Sequence, residues 1–147
     1  MAIQDGGDIN VPPHLSSPQA NILFKQFDME TEVDRVLVYV TLYIIECLKR
    51  LQKVPNLERA TQEMFSMALE SFALPGEAGF PLNAFFTKPN RNEAEELKKY
   101  FTQLRQETGA RLAEKVYDPA LTSSGPSKWW TCWSKRKFLN VSLQTRR

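Results

Sequence analysis

"EVDRVLVYVTLYIIECLKRLQK", residues 32–53, is the stretch whose reading decides the fold. Its middle is apolar on every side: Val36, Leu37, Val38, Tyr39, Val40, Leu42, Tyr43, Ile44, Ile45, Cys47 and Leu48. The β-branched residues invite a strand, but the span is long for one and holds no turn residue. It also ends with Leu48 and Leu51 at helical spacing, so a helix is expected. Thr31 with Asp34 three positions on resembles a capping box and sets the start. Val54-Pro55 sets the end near Lys53. A helix that is apolar all round belongs inside a protein, with other helices around it. The run Val36–Leu48 would measure only about 20 Å as a helix, short of a bilayer core of about 30 Å, so no membrane insertion is expected.

Working outward, the downstream sequence supplies the surrounding helices. Asn56 is a natural N-cap for a helix to about Phe72, with Leu57, Ala60, Met64, Phe65, Ala68, Leu69 and Phe72 on one face and Leu74-Pro75-Gly76 as its stop. "LPGEAGFPLNAFFTKPNRN" then reads as an ordered loop whose Phe80, Leu82, Phe85 and Phe86 plug the core. Asn92 with Glu95 caps a further helix, with Leu97, Phe101, Leu104, Thr108, Leu112 and Val116 as its buried stripe and Asp118-Pro119 as its end. Gly109 inside that helix predicts a bend or a closely approaching backbone. "ALTSSGPS" is a linker, and Ser127 caps a last helix from Lys128 to about Leu143. The expected architecture is all-α: a single-domain helical bundle around one central apolar helix. Residues 1–18, rich in Gly and Pro, read as a loose leader, and residues 19–147 as the bundle domain with a basic C-terminal end.

Catalytic chemistry finds little to work with. The one histidine, His14, lies in the leader, so no histidine-dependent triad or metal site can be assembled. Cys47 and Cys132 lack metal-ligand spacing and both read as reduced thiols in apolar surroundings. "PGEAGFP" is not a phosphate loop, because prolines bracket it and a helix precedes it. Glu93, Glu95 and Glu96 are explained by the positive end of a helix dipole. Asp34 and Arg35 suit a structural ion pair. Asn140-Val141-Ser142 matches a glycosylation sequon, with no secretory signal to support its use. The reading is a protein without enzymatic activity, cofactor or metal.

"PSKWWTCWSKRKF", residues 126–138, is the strongest functional signal. It holds all three tryptophans and opens a basic stretch: Lys128, Lys135, Arg136, Lys137, Arg146 and Arg147 face no acid between positions 128 and 147. Trp130, Trp133, Phe138 and Val141 are expected to lean inward, with the cations outward and Trp129 fitting neither side. Lys128, Trp129, Lys135, Arg136 and Lys137 are the candidate partner-binding residues. The alternative is a small helical nucleic-acid-binding module that uses this basic, Trp-rich end.

Four segments in order, "EVDRVLVYVTLYIIECLKRLQK", "LPGEAGFPLNAFFTKP", "QLRQETGARLAEKVYDP" and "PSKWWTCWSKRKFLNVSL", resemble the subunit 3 family of the actin-related protein 2/3 complex, over about residues 19–143. The resemblance implies a compact bundle and a non-catalytic subunit of an assembly that nucleates actin filaments as branches. It further implies docking on actin-related protein 3, contact with actin filaments through the complex, and a place in the cytoplasm at the actin cytoskeleton, cell cortex and projections. It implies no specific nucleic acid. Family members begin with a longer segment that residues 1–18 are not expected to match, which would uncover part of the central helix.

Overall fold

The computed structural model describes residues 32–85, 88–136, 138 and 141–143. Four helices follow one another: α1 (Glu32–Leu51), α2 (Leu57–Ala68), α3 (Arg91–Val116) and a short α4 (Lys128–Thr131) that continues as a 3-10 turn, Cys132–Lys135. No strand element occurs among the described residues. The all-α bundle expected from the sequence is the observed one, with α1 touching α2, α3, α4 and the 3-10 turn.

α1 buries Val38, Tyr39, Leu42, Tyr43, Cys47, Leu48 and Leu51. Its first turns are more open than an enclosed helix requires: Val33 is 65% and Leu37 58% exposed. The proposed cap at Thr31 lies outside the described residues. At the other end Pro55 has no N–H to give the Leu51 carbonyl, and Val54 N donates to it at 3.1 Å instead. Tyr117, just past α3, donates its hydroxyl to the Val54 carbonyl at 2.7 Å, with the Leu51 carbonyl 3.1 Å away. The end of α1 is thus tied to the end of α3.

α2 starts as the sequence indicates, with Asn56 Oδ1 accepting from Arg59 N at 3.0 Å. It ends at Ala68 rather than near Phe72. The Ala68 carbonyl, which a longer helix would offer to the Phe72 N–H, accepts from Arg105 Nε at 3.1 Å. The buried face also differs from the expected one. Ala60, Met64, Met67 and Ala68 are covered, while Leu57, Phe65 and Leu69 are exposed. The face is rotated because α2 packs antiparallel on α3, with Met64 opposite Gly109 and Ala68 opposite Arg105.

α3 is unbroken through Gly109. A Cβ at that position would stand 3.0 Å from Met64 Cβ, so the glycine marks the close approach of a neighbouring helix rather than a bend. The cap is Asn90, two residues before the expected Asn92: its side chain accepts from Asn92 N and Glu93 N, and Glu93 reaches back to Asn90 N at 2.9 Å. Both asparagines have a glutamate three positions on, and the earlier pair gives the longer helix. Phe101, Leu112 and Val116 are buried as expected. The stripe also includes Arg105, Gly109 and Ala113, which hydrophobicity alone passes over.

Arg105 is 4% exposed and sits where three elements meet. Its Nη1 donates to Tyr39 Oη of α1 at 2.9 Å, its Nε to the end of α2, and its Nη2 to Thr102 Oγ1 at 3.3 Å. Its guanidinium carbon lies 5.3 Å from the Phe72 ring centre. Tyr39 meets Phe101 at 4.3 Å between ring centres and Phe80 at 6.2 Å, while Tyr43 meets Phe72 edge-on at 5.6 Å. Phe80 and Leu82 are core residues, as expected of the loop. The side chain of Phe85 and all of Phe86 lie outside the described residues. The loop is knitted by Asn83, which accepts from Gly76 N at 2.9 Å and donates to the Glu77 carbonyl at 2.6 Å. Gly76 has φ 92°, and a side chain there would collide with Pro89.

Two outcomes follow from this core. Arg105→Met is expected to lower the unfolding free energy by about 2–4 kcal/mol in urea titrations, because a buried carbonyl and hydroxyl lose their donor. Arg105→Lys should recover little of it, since an ammonium cannot fork between partners on separate helices. Burial pushes the Cys47 thiol up to about 12 and the Tyr117 hydroxyl up to about 12, so the fold holds both protonated. Their ordinary values are 9.0 and 10.0, so the unfolded chain ionises first as pH rises. Stability is therefore full below pH 9 and falls progressively towards pH 12. Melting temperatures measured between pH 8 and 11 should show this fall, and Cys47→Ala should delay its onset by about one pH unit.

Candidate partner-docking face

The linker after α3 returns to the bundle at Ser127, which is 2% exposed and whose N–H donates to the Val116 carbonyl at 2.8 Å. This anchor places α4 against the C-terminal end of α1, where Gln52 donates to the Ser134 hydroxyl. Ser134 in turn donates to the Thr131 carbonyl at 2.6 Å. That carbonyl is the one a continued helix would give to the Lys135 N–H, so the side chain takes the place of the backbone and the helix tightens. The expected helix to Leu143 is therefore corrected to one turn of α-helix, one 3-10 turn, and an extended Arg136 with φ −85° and ψ 140°. Phe138 and Val141 still pack against the core, and Leu143 is buried.

The break redistributes the tryptophans. Trp130 packs against the core as expected. Trp133, expected inside, is 41% exposed, because the 3-10 turn rotates it away from the direction that α-helical spacing would give. Trp129 is 61% exposed. Cys132 is exposed too, and not in the core; its thiol donates to the Trp129 carbonyl at 2.9 Å. Cys47 is buried, as expected.

Trp129 stands edge-to-face against Trp130, 5.0 Å between ring centres, and against Trp133 at 6.4 Å. The Arg136 guanidinium lies 4.8 Å from the Trp133 ring centre. Lys128, Lys135 and Arg136 are all exposed, and none forms an ion pair with the described residues. Four of the five candidate residues thus belong to one corner of the bundle, and Lys137 lies outside the described residues. Trp133 is the member that sequence reasoning placed wrongly; its i, i+3 relation to Arg136 was the available signal. The corner offers a braced aromatic surface flanked by cations. Among the described residues no group of histidine, cysteine or carboxylate side chains could hold a metal ion.

Comparison with known proteins decides the family. The sequence profile described as P21-Arc, the ARP2/3 complex ARPC3 (21 kDa) subunit, matches residues 8–143. The chain belongs to this family. The proteins named actin-related protein 2/3 complex subunit 3 in Dictyostelium discoideum and Schizosaccharomyces pombe are 48% and 46% identical to it over 126 residues. Each alignment covers 85% of this chain and 71% of the relative. The Caenorhabditis elegans protein named as probable subunit 3 is 37% identical over 145 residues, covering 97% of this chain and 78% of its own. The 21 kDa subunit family match begins at residue 8, so most of the stretch not expected to match does so. These relatives are named as subunits of a complex, and nothing found favours the nucleic-acid alternative.

The different surroundings of the three indoles lead to a measurable contrast. Trp130→Ala should cost about 3 kcal/mol in denaturant titrations followed by circular dichroism, the usual loss for a packed tryptophan. Trp129→Ala should stay within about 0.5 kcal/mol, as surface changes do.

Proposed function

We propose that the chain acts as a non-catalytic structural subunit of the actin-related protein 2/3 complex and supports nucleation of branched actin filaments through protein–protein contacts. The observation that carries this reading is the family match over residues 8–143. Actin-related protein 3 is the chief partner in this reading, and actin filaments are contacted through the assembled complex. The protein then works in the cytoplasm at the actin cytoskeleton, including the cell cortex and projections. Residues 19–147 form the assembling body, and Lys128, Trp129, Lys135, Arg136 and Lys137 present its docking face. The exposed indole of Trp129 favours this role for the face, because aromatic and arginine side chains dominate the energetics of protein interfaces.

Reconstitution tests the proposal. A complex prepared without its own subunit 3 should take up the chain and regain filament branching. Trp129→Ala combined with Arg136→Glu should reduce uptake by about tenfold, the effect of losing interface anchors, while leaving the isolated bundle's circular dichroism unchanged. A chain that never enters the complex would overturn the assignment of function. Normal uptake of the double variant would instead remove the docking face alone.

A further inference from the structure

The corner built by Trp129, Trp133 and Arg136 is specific enough to say what kind of surface it meets. Trp129 is braced edge-on by two other indoles, so its ring is held in place before any partner arrives. A pre-set side chain loses little conformational freedom on binding. The open face of this ring suits an apolar group. The Arg136 guanidinium carbon lies over the Trp133 ring, and the side chain is exposed and meets no carboxylate among the described residues, so its N–H groups are available to a carboxylate in a forked pair.

The sign of the charge is unopposed. Residues 128–147 contain six cations and no acid. Lys128, Lys135 and Arg136 meet no carboxylate among the described residues. Single-stranded nucleic acid is the poorer fit, because it needs successive aromatic faces on which to stack bases. Here the indoles stand edge to face, and Arg136 covers one side of Trp133.

We propose that the partner surface seated on this corner is an acidic protein segment carrying an apolar side chain. The apolar side chain lies on Trp129 while neighbouring carboxylates pair with Arg136, Lys128 and Lys135. This rests on the docking role given to the same residues above, and the two fail separately. Normal uptake of the double variant removes the docking role, whereas the peptide measurement decides the chemistry.

Isothermal titration of the full chain would use an acidic dodecapeptide of alternating Glu and Asp with one central Leu. The comparison peptide carries Ser in place of that Leu, and a thymidine oligonucleotide of equal charge serves as the third ligand. The Leu peptide should bind about tenfold more tightly than the Ser peptide, and Trp129→Ala should erase that difference. Arg136→Gln should weaken both peptides severalfold, and Arg136→Lys should restore only part of the loss. Equal binding of the two peptides, or a Leu preference that survives Trp129→Ala, would overturn the proposal. So would tighter binding of the oligonucleotide, which would assign the corner to nucleic acid.

Discussion

The guanidinium of Arg105 is the constraint around which the bundle is arranged. It occupies the seam between α1, the end of α2 and α3, donating to Tyr39, Ala68 and Thr102 and lying over Phe72. A buried cation is costly unless every donor is directed, so its partners must arrive together and in one geometry. Apolar packing would tolerate α2 sliding along α3, whereas the Ala68 carbonyl fixes the register. The same bond ends α2, which frees Phe72 and Leu74 to turn inward and lets the loop deliver Phe80 to Tyr39.

With that seam set, the remaining contacts fall into place from its two ends. Gly109 lets α2 come close one turn beyond Arg105, and Met64 fills the space a side chain would take. At the far end Tyr117 grips the end of α1, and after the linker Ser127 returns the chain to the last residue of α3. The basic corner is therefore anchored to the C-terminal ends of α1 and α3. Its shape follows from the hydrogen bonds of Ser134 and Ser127 more than from helix propensity.

Which parts were legible in the sequence has a physical explanation. α1 was readable because an unbroken apolar run has few other places to go, and Asn56 because a cap needs only its own side chain. The face of α2 was misread because Phe65 and Leu69 are as hydrophobic as Met64 and Met67; only packing against Gly109 chooses between them. Arg105 was missed because a charge reads as surface, although its spacing from Phe101 and Gly109 puts it on the buried stripe. In the candidate site Lys128, Lys135 and Arg136 lie on the outside, as their charge indicates. Trp133 and Cys132 were misplaced because a helical period was carried across a break that depends on Gln52, a residue far away in sequence.

All three indoles of the chain lie between Trp129 and Trp133, each in a different setting: packed, braced in the open, and beneath a guanidinium. Ultraviolet emission excited selectively from tryptophan therefore originates from a single corner of the molecule. The chain carries an intrinsic optical reporter at the place where a partner would first be felt, and the rest of the bundle is dark to it.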